Sequence, residues 1–123
     1  MSRHAVRFFN PIQDARTCVE EVSVEDVLKR HRRKDSINLI DVREIREWLH
    51  SHIPSARHLS KGIIERDVEM LYRQMDEELI LYCSDGNRSL LAAANLVRMG
   101  YTKVTSMAGG FRAWKKAGGP IGL

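Results

Sequence analysis

Short apolar segments rich in β-branched residues alternate along this chain with longer segments that have helical spacing. Three segments have the pattern of buried strands, over residues 37–42, 79–82 and 103–107. Helical patterns occupy residues 43–50, 63–75 and 90–99, with one further helix after Ser23 and a last one that contains Phe111 and Trp114. Strands that alternate with helices favour right-handed crossovers and a parallel sheet covered on both faces. The sequence therefore predicts an α/β fold.

The length of the chain is that of a single domain. It has 123 residues, of which 43% are hydrophobic, and no apolar run approaches the roughly 20 residues that cross a bilayer. We therefore expect no membrane partner. The first 20 or so residues show no clean period. We divide the chain into an irregular N-terminal extension over residues 1–21, docked or loose, and a domain over residues 22–123.

The positive charge is concentrated in one place. The formal net charge is +4, from 20 Lys and Arg against 16 Asp and Glu, and five of the cations lie within residues 29–34. Without these five the balance is 15 against 16, or −1. We interpret the cluster as a solvated helix end, with RNA or an acidic partner as the less favoured alternative. Its members are Lys29, Arg30, Arg32, Arg33 and Lys34.

The two cysteines are too few for a secreted disulfide scaffold, and residues 1–10 lack the apolar core of a signal peptide. We expect a cytoplasmic protein with free thiols. Cys18 lies in the irregular extension and is interpreted as an inert thiol, with a resolving role as the alternative. The five histidines and two cysteines show no zinc spacing, so no metal and no cofactor is expected.

Cys83 follows the predicted strand over residues 79–82, and ligands bind at the carboxyl ends of strands in open α/β sheets. Gly86 permits backbone conformations closed to other residues, and the loop passes directly into a helix. Such a loop can point several N–H groups at one anion. These amides, the helix dipole and the Arg88 guanidinium would favour a thiolate on Cys83, to which Ser89 can add a hydroxyl hydrogen bond. We predict that Cys83 is a nucleophile rather than an inert buried thiol.

Four separated motifs occur in order along the chain. They are Asp41-Val42-Arg43-Glu44 with Glu47-Trp48, then residues 52–56 (His-Ile-Pro-Ser-Ala), then residues 82–89, then Gly109-Gly110-Phe111 with Trp114. In this arrangement the chain resembles the rhodanese-like sulfurtransferases over residues 22–118. The resemblance implies a central parallel sheet of about five strands with helices on both faces.

The resemblance also implies a reaction. Cys83 would attack the outer sulfur of thiosulfate or of a persulfide donor, which leaves a persulfide on the cysteine, and cyanide or a thiol would then remove that sulfur. The loop residues Ser84, Asp85, Gly86, Asn87, Arg88 and Ser89 would bind the substrate. Asp41 and Arg43 would support the site by ion pairing rather than touch the substrate. A monomer or a homodimer is expected.

Two departures from the family pattern stand out. Ser51 occupies a position where the family often has Gly, which affects only the local turn. Asp85 places a negative charge in a loop that would receive dianionic thiosulfate, which would favour a protein persulfide donor. A solvated turn residue without catalytic effect is the equal alternative for Asp85.

Two rival functions are open. A cysteine phosphatase or arsenate reductase also needs a thiolate in an anion-binding loop. Four residues separate Cys83 from Arg88, whereas the related phosphatases have five, and the shorter loop favours sulfur over phosphate. A noncatalytic rhodanese-like module would only bind a partner. Such modules commonly lack the cysteine, so its presence here favours catalysis.

Overall fold

The computed structural model describes the backbone of residues 6–123 and the side chains from Asn10 onward. Within that part of the chain, five strands form one parallel sheet in the order β1-β5-β4-β2-β3. The elements in chain order are α1 (Val6–Arg16), β1 (Glu20–Val22), α2 (Val24–Arg32), β2 (Leu39–Asp41), α3 (Ile45–His50), β3 (Arg57–His58), α4 (Ile64–Leu71), β4 (Glu78–Tyr82), α5 (Asn87–Met99), β5 (Lys103–Met107) and α6 (Gly110–Lys116). The predicted α/β fold is confirmed.

The core is divided by the sheet into two layers. Successive residues of β4 belong to different apolar clusters, Leu79 and Leu81 to one and Ile80 and Tyr82 to the other, because side chains alternate between the faces of a strand. The first cluster includes residues of α1, α4 and α5, and the second includes residues of α2 and α6. Helices therefore cover both faces of a strand that is buried throughout its last four residues.

The expectation of an irregular N-terminal extension is wrong for most of that segment. Residues Val6–Arg16 form a helix that packs on α5, with Ile12 and Ala15 buried in the first cluster. β1 then pairs with β5 at the edge of the sheet. The segment is docked, although residues 1–5 lie outside the described part of the chain. Pro11, which lies inside the helix, hides α1 from pattern analysis.

The ends of several elements follow their local chemistry. Ser23 caps α2, and its hydroxyl accepts a hydrogen bond from the Asp26 amide at 3.0 Å, as the spacing predicts. α5 ends at Gly100, which has a left-handed φ of 113°. It begins at Asn87, three residues earlier than predicted. Arg88 and Ser89 are therefore in its first turn and not in a loop.

The basic cluster of residues 29–34 lies at the C-terminal end of α2, as predicted. Two of its members pair with carboxylates: Arg30 with Glu78 at 2.6 Å and Arg33 with Asp35 at 2.7 Å. No helix between residues 6 and 123 is both long enough and apolar enough to span a bilayer.

If α1 is part of the folded domain, truncating its buried side chain must destabilise the protein. We expect Ile12→Ala to lower the free energy of unfolding by about 2–4 kcal/mol, since it leaves a cavity between α1 and α5. Urea denaturation with a constant m-value measures this loss.

Gln13→Ala is the matched control, because Gln13 is the exposed neighbour of Ile12 on the same helix. It should change the stability by less than about 0.5 kcal/mol. Equal midpoints for the two variants would show that α1 does not contribute to the fold.

Candidate active site

Cys83 immediately follows the central strand β4, at the carboxyl end of the sheet. The chain then turns through Gly86, which has a φ of 99°, and enters α5 at Asn87. A side chain at position 86 would be strained by that φ and would place its Cβ 3.3 Å from the Gly109 nitrogen. The turn therefore requires glycine, and it folds the loop back over the Cys83 side chain.

The Cys83 sulfur accepts hydrogen bonds from two backbone amides of this turn. The Gly86 amide lies 3.1 Å from Sγ and the Ser89 amide lies 3.3 Å from it. Both amides belong to the cap and first turn of α5, whose N-terminal end carries partial positive charge. Together they stabilise negative charge on the sulfur. This is the anion-binding arrangement that the sequence pattern indicates.

Asp85 acts on the sulfur in the opposite direction. Its Oδ1 lies 3.7 Å from Sγ and accepts a hydrogen bond from the Asn87 amide at 3.0 Å. The carboxylate can therefore accept a hydrogen bond from the thiol but repels a thiolate and an anionic substrate. The predicted negative charge in the loop is next to the sulfur and not on a distant part of the turn.

The Ser89 hydroxyl is held in place from β5. Its Oγ lies 3.5 Å from Sγ, donates to the Gly86 carbonyl at 3.1 Å, and lies 2.7 Å from the Ser106 hydroxyl. Ser106 is a completely buried polar residue of the neighbouring strand. Sequence analysis missed it. The available signal was its position two residues after the apolar Val104, on the same face of β5.

The first turn of α6 holds the other side of the loop. The Phe111 amide donates to the Cys83 carbonyl at 2.7 Å, and the Arg112 amide donates to the Ser84 carbonyl at 3.0 Å. Gly110 permits this approach, because a side chain there would collide with the Cys83 carbonyl. The Gly109-Gly110 motif thus fixes the backbone on which the sulfur is carried.

Arg88 is paired with a carboxylate that the sequence analysis gave no role. Its guanidinium donates to Glu47 Oε1 at 2.8 Å and to Oε2 at 3.0 Å, and the Ser84 hydroxyl donates to the same Oε2 at 2.9 Å. The hydrogen bonds from Arg88 lower the pKa of Glu47 to about 2, although its partial burial acts in the opposite direction. Arg88 therefore fixes the loop to α3, and its interaction with Cys83 is only a longer-range charge interaction.

Asp41 and Arg43 form a buried ion pair next to the site. Arg43 Nη2 lies 2.8 Å from Asp41 Oδ2, with side chains 5% and 0% exposed, and also donates to the Ser51 carbonyl at 2.7 Å. The guanidinium lies 4.5 Å from the centre of the Phe111 ring. The pair thus connects the end of β2, the turn at Ser51 and the start of α6. Burial also raises the pKa of the adjacent Tyr82, so its phenol stays neutral.

A cleft of about 410 Å³ opens beside the loop. α3 and α6 form its sides, and Ser84 lies between them. The residues around it are Arg43, Arg46, Glu47, His50, Ser51, Ser84, Phe111, Arg112 and Lys115. Cys83 itself is 0% exposed. A substrate therefore reaches Sγ only when side chains of the loop move, and the Asp85 carboxylate, 3.7 Å from Sγ, is one of them.

Cys18 is far from this site. Glu20 of β1 is level with Thr105 of β5, and Thr105 is level with Ile80 of β4. Cys18 lies two residues before Glu20, and Cys83 lies three residues after Ile80. At about 3.3 Å per residue, the two cysteines are therefore on the order of 16 Å apart along the strand direction. Disulfide formation requires Cα atoms about 5.5–6 Å apart. Within one chain, a resolving role for Cys18 is excluded.

Comparison with known proteins identifies the family. The rhodanese-like domain profile matches residues 23–117 of the chain. The chain belongs to the rhodanese-like domain family. A sulfurtransferase of Allochromatium vinosum is 32% identical to this rhodanese-like domain over 103 residues, which cover 84% of the chain and 94% of that relative. The predicted family is therefore confirmed.

Two further similarities are informative. YrkF of Bacillus subtilis, provisionally named a sulfur carrier protein, is 32% identical over 96 residues, which cover 78% of this chain. This rhodanese-like domain spans about half of that relative, 51% of its length. A solved structure from Rhodopseudomonas palustris, described as a protein of unknown function and a possible tyrosine phosphatase, has a TM-score of 0.88 and 28% identity, with 99% of each chain covered.

Glu47→Gln tests the ion pair between α3 and the loop. The pKa of Glu47 is depressed from 4.5 to about 2 in the folded domain, so the stabilisation is fully present above pH 4.5 and is lost as the pH falls towards 2. At pH 7 we expect the variant to be less stable by about 1–2 kcal/mol, less than the full shift implies, because the pair is about one third exposed. The urea midpoints of the wild type and of Glu47→Gln, measured between pH 7 and pH 2, should converge at the acidic end.

Glu69→Gln provides the control, since Glu69 is an exposed carboxylate on α4. Its stability difference from the wild type should be small throughout the range. A stability difference for Glu47→Gln that stays constant from pH 7 to pH 2 would contradict an electrostatic role for Glu47.

Proposed function

We propose that this member of the rhodanese-like family is a sulfurtransferase that carries a sulfane sulfur as a persulfide on Cys83. The observation that supports it most directly is the pair of backbone amides that donate to Cys83 Sγ at the start of α5. A sulfur held in this way can act as a nucleophile, and the same amides can stabilise a second sulfur attached to it.

Thiosulfate can load the enzyme in one displacement. The Cys83 thiolate attacks the outer sulfur, a bond forms between the two sulfurs, and the original S–S bond breaks with its electron pair going to sulfite. The products are an anionic persulfide on Cys83 and sulfite, so charge and atoms balance. No separate reductant is needed, because the oxidation level of the transferred sulfur is conserved.

An acceptor then removes the outer sulfur. Cyanide attacks that sulfur and leaves as thiocyanate, while the electron pair of the broken S–S bond stays on Cys83 and restores its thiolate. A thiol acceptor leaves as a persulfide in the same way. The double displacement divides one transfer into two steps through a covalent intermediate.

The substrate-binding part of this proposal consists of Ser84, Asp85 and Gly86 in the loop and Asn87, Arg88 and Ser89 in the first turn of α5. Asp41 and Arg43 support it by joining β2 to α6. Arg88 acts mainly through Glu47 and the Ser84 hydroxyl, since its guanidinium donates to both. We place the reaction in the reducing cytoplasm, where Cys83 stays free for reaction.

A phosphatase is the second candidate, and the description of the Rhodopseudomonas palustris neighbour favours it. The geometry supports it less well. A phosphate needs a free cation in the loop, and the Arg88 guanidinium is engaged by both oxygens of Glu47. The four residues between Cys83 and Arg88 also make a shorter loop than that of the related phosphatases. Sulfur transfer is therefore preferred. The two amide hydrogen bonds to Cys83 Sγ also disfavour a noncatalytic module that only binds partners.

Cys83→Ser tests the proposed function. After incubation with thiosulfate, intact-mass spectrometry of the native protein should show the gain of one sulfur atom, which cyanide removes. The variant should gain none, because the attacking atom is absent. Cys18→Ser is the matched control and should gain the sulfur normally, since Cys18 is exposed and lies at the other end of the sheet.

Two results would contradict sulfur transfer. One is a native protein that neither thiosulfate nor a small-molecule persulfide modifies. The other is rapid hydrolysis of an aryl phosphate that disappears in Cys83→Ser, which would assign the site to phosphate chemistry.

Asp85→Asn tests whether the loop carboxylate limits the use of an anionic donor. The amide can still accept the Asn87 hydrogen bond but removes the charge next to Sγ. We expect kcat/KM for thiosulfate to rise about fivefold, which corresponds to about 1 kcal/mol for one partly solvated charge. Steady-state production of thiocyanate measures it.

Asp76→Asn is the comparison variant, because Asp76 is exposed in the turn before β4 and far in sequence from the loop. It should leave kcat/KM unchanged. An unchanged or lower kcat/KM for Asp85→Asn would assign Asp85 to the turn alone.

A further inference from the structure

Two large apolar side chains are exposed beside the cleft. Ile45 is 53% exposed and Leu49 is 68% exposed. They are four residues apart on α3 and so lie on one side of that helix. The same helix supplies Arg46, Glu47 and His50 to the cleft. The apolar pair therefore lies on a helix that borders the cleft, outside the lining of the cleft itself.

The cleft has an excess of cations at its edge. Arg46, Arg112 and Lys115 are all exposed and line it. Among the side chains from Asn10 to Leu123, none of these three forms a salt bridge with a carboxylate. The two arginines nearer the sulfur are neutralised, Arg43 by Asp41 and Arg88 by Glu47. The outer cations are therefore available to an anionic partner.

We propose that the docking face, formed by Ile45, Arg46, Leu49, Arg112 and Lys115, binds an acidic protein whose cysteine accepts the sulfur from Cys83. This inference rests on the proposed function. The cations would pair with carboxylates of the partner, and the α3 pair would contact an apolar side chain next to its cysteine. The cations around the opening favour a partner with negative charge, and the apolar pair favours a protein over a nucleic acid or a small molecule.

A protein fits this face better than RNA or a small thiol. Protein interfaces combine an apolar centre with charged residues at the rim. Interfaces with RNA instead rely on phosphate contacts and on bases stacked against aromatic or Arg side chains. Aliphatic Ile45 and Leu49 offer neither contact. A small thiol inside the cleft would not reach the two side chains outside it.

The positive charge continues along α6 away from the cleft. Lys115 lines the cleft, whereas Ala117, just beyond the helix, lines a second groove with Lys29 and Arg32 of α2. α6 has seven residues and is therefore only about 10 Å long. An interface of ordinary size, about 800 Å² on each partner, is wider than this distance. The α2 cluster would thus add to the attraction of an acidic partner.

The transfer itself follows from the proposed persulfide. The partner's cysteine thiolate attacks the outer sulfur of the anionic Cys83 persulfide. A bond forms between these two sulfurs, the bond to Cys83 Sγ breaks, and its electron pair remains on Cys83 as a thiolate. The negative charge of the outer sulfur stays on that sulfur, so the partner leaves as a persulfide anion.

Two synthetic peptides test the charge preference. Each has one cysteine flanked by leucines, and the two differ only in carrying glutamates or lysines at the same positions. With the thiosulfate-loaded enzyme, we expect kcat/KM for the glutamate peptide to be at least about tenfold higher at low salt. Added NaCl should reduce this preference. Persulfide formation on each peptide is followed by mass spectrometry.

Variants separate the two parts of the face. Ile45→Ser with Leu49→Ser should lower kcat/KM for the glutamate peptide about tenfold, with thiosulfate-to-cyanide transfer unchanged. Arg112→Glu with Lys115→Glu should reverse the preference towards the lysine peptide. Met70→Ser is the control, since Met70 is 79% exposed on α4, in the other helix layer. It should change neither reaction.

The outcomes distinguish this inference from the proposed function. Equal, salt-independent rates for the two peptides, together with normal transfer to cyanide, would overturn the docking face and leave the sulfurtransferase intact. Failure of both thiosulfate and a small-molecule persulfide to load Cys83 would overturn both proposals. Binding of a single-stranded RNA that is lost in Arg112→Glu/Lys115→Glu but kept in Ile45→Ser/Leu49→Ser would overturn the protein partner in favour of RNA.

Discussion

The hydrogen bonds from the Gly86 and Ser89 amides to Cys83 Sγ are the interactions on which the site depends. They exist because β4 ends at Tyr82, the chain turns through a left-handed glycine, and α5 begins at once. Both amides are fixed by helix geometry, so they need little rearrangement when charge develops on the sulfur. The buried strand supplies the rigidity, since β4 pairs with a strand on each side. The site is thus a direct product of one strand–turn–helix unit.

The charges around this unit are arranged in two zones. Near the sulfur, each arginine has its own carboxylate: Asp41 neutralises Arg43 and Glu47 neutralises Arg88. These pairs tie β2 and α3 to the loop and α6. Unpaired cations occur further out, on the exposed sides of α3 and α6. An arriving anion is therefore attracted by the outer zone, while the inner zone keeps the geometry of the loop.

Much of the fold could be predicted from the sequence. The strands over residues 79–82 and 103–107 and the helix after Ser23 have strong local signals, apolar runs in the first case and a capping serine in the second. β1 and β3 have none, because an edge strand of two or three residues is defined by its pairing partner and not by its own pattern. α1 was missed because Pro11 lies inside it, and proline is unfavourable in the interior of a helix.

Only the contiguous part of the candidate site could be predicted from the sequence. Cys83 and its loop are contiguous, so their order along the chain indicates their chemistry. Glu47 and Ser106 contribute through contacts with residues distant in sequence, Arg88 and Ser89 respectively. The residues next to them in the sequence do not indicate those contacts. The pairing of Arg88 could be found only once α3 was placed beside the loop.

The separation of the two cysteines at opposite ends of the sheet has a consequence for how a loaded molecule behaves. A chain that had acquired a sulfur would have no second thiol within reach to release it as hydrogen sulfide and close a disulfide. Its cargo would stay until another molecule arrived, so unloading would be a bimolecular event whose rate rises with the concentration of the recipient. Such a molecule would carry one sulfur per chain until an acceptor binds.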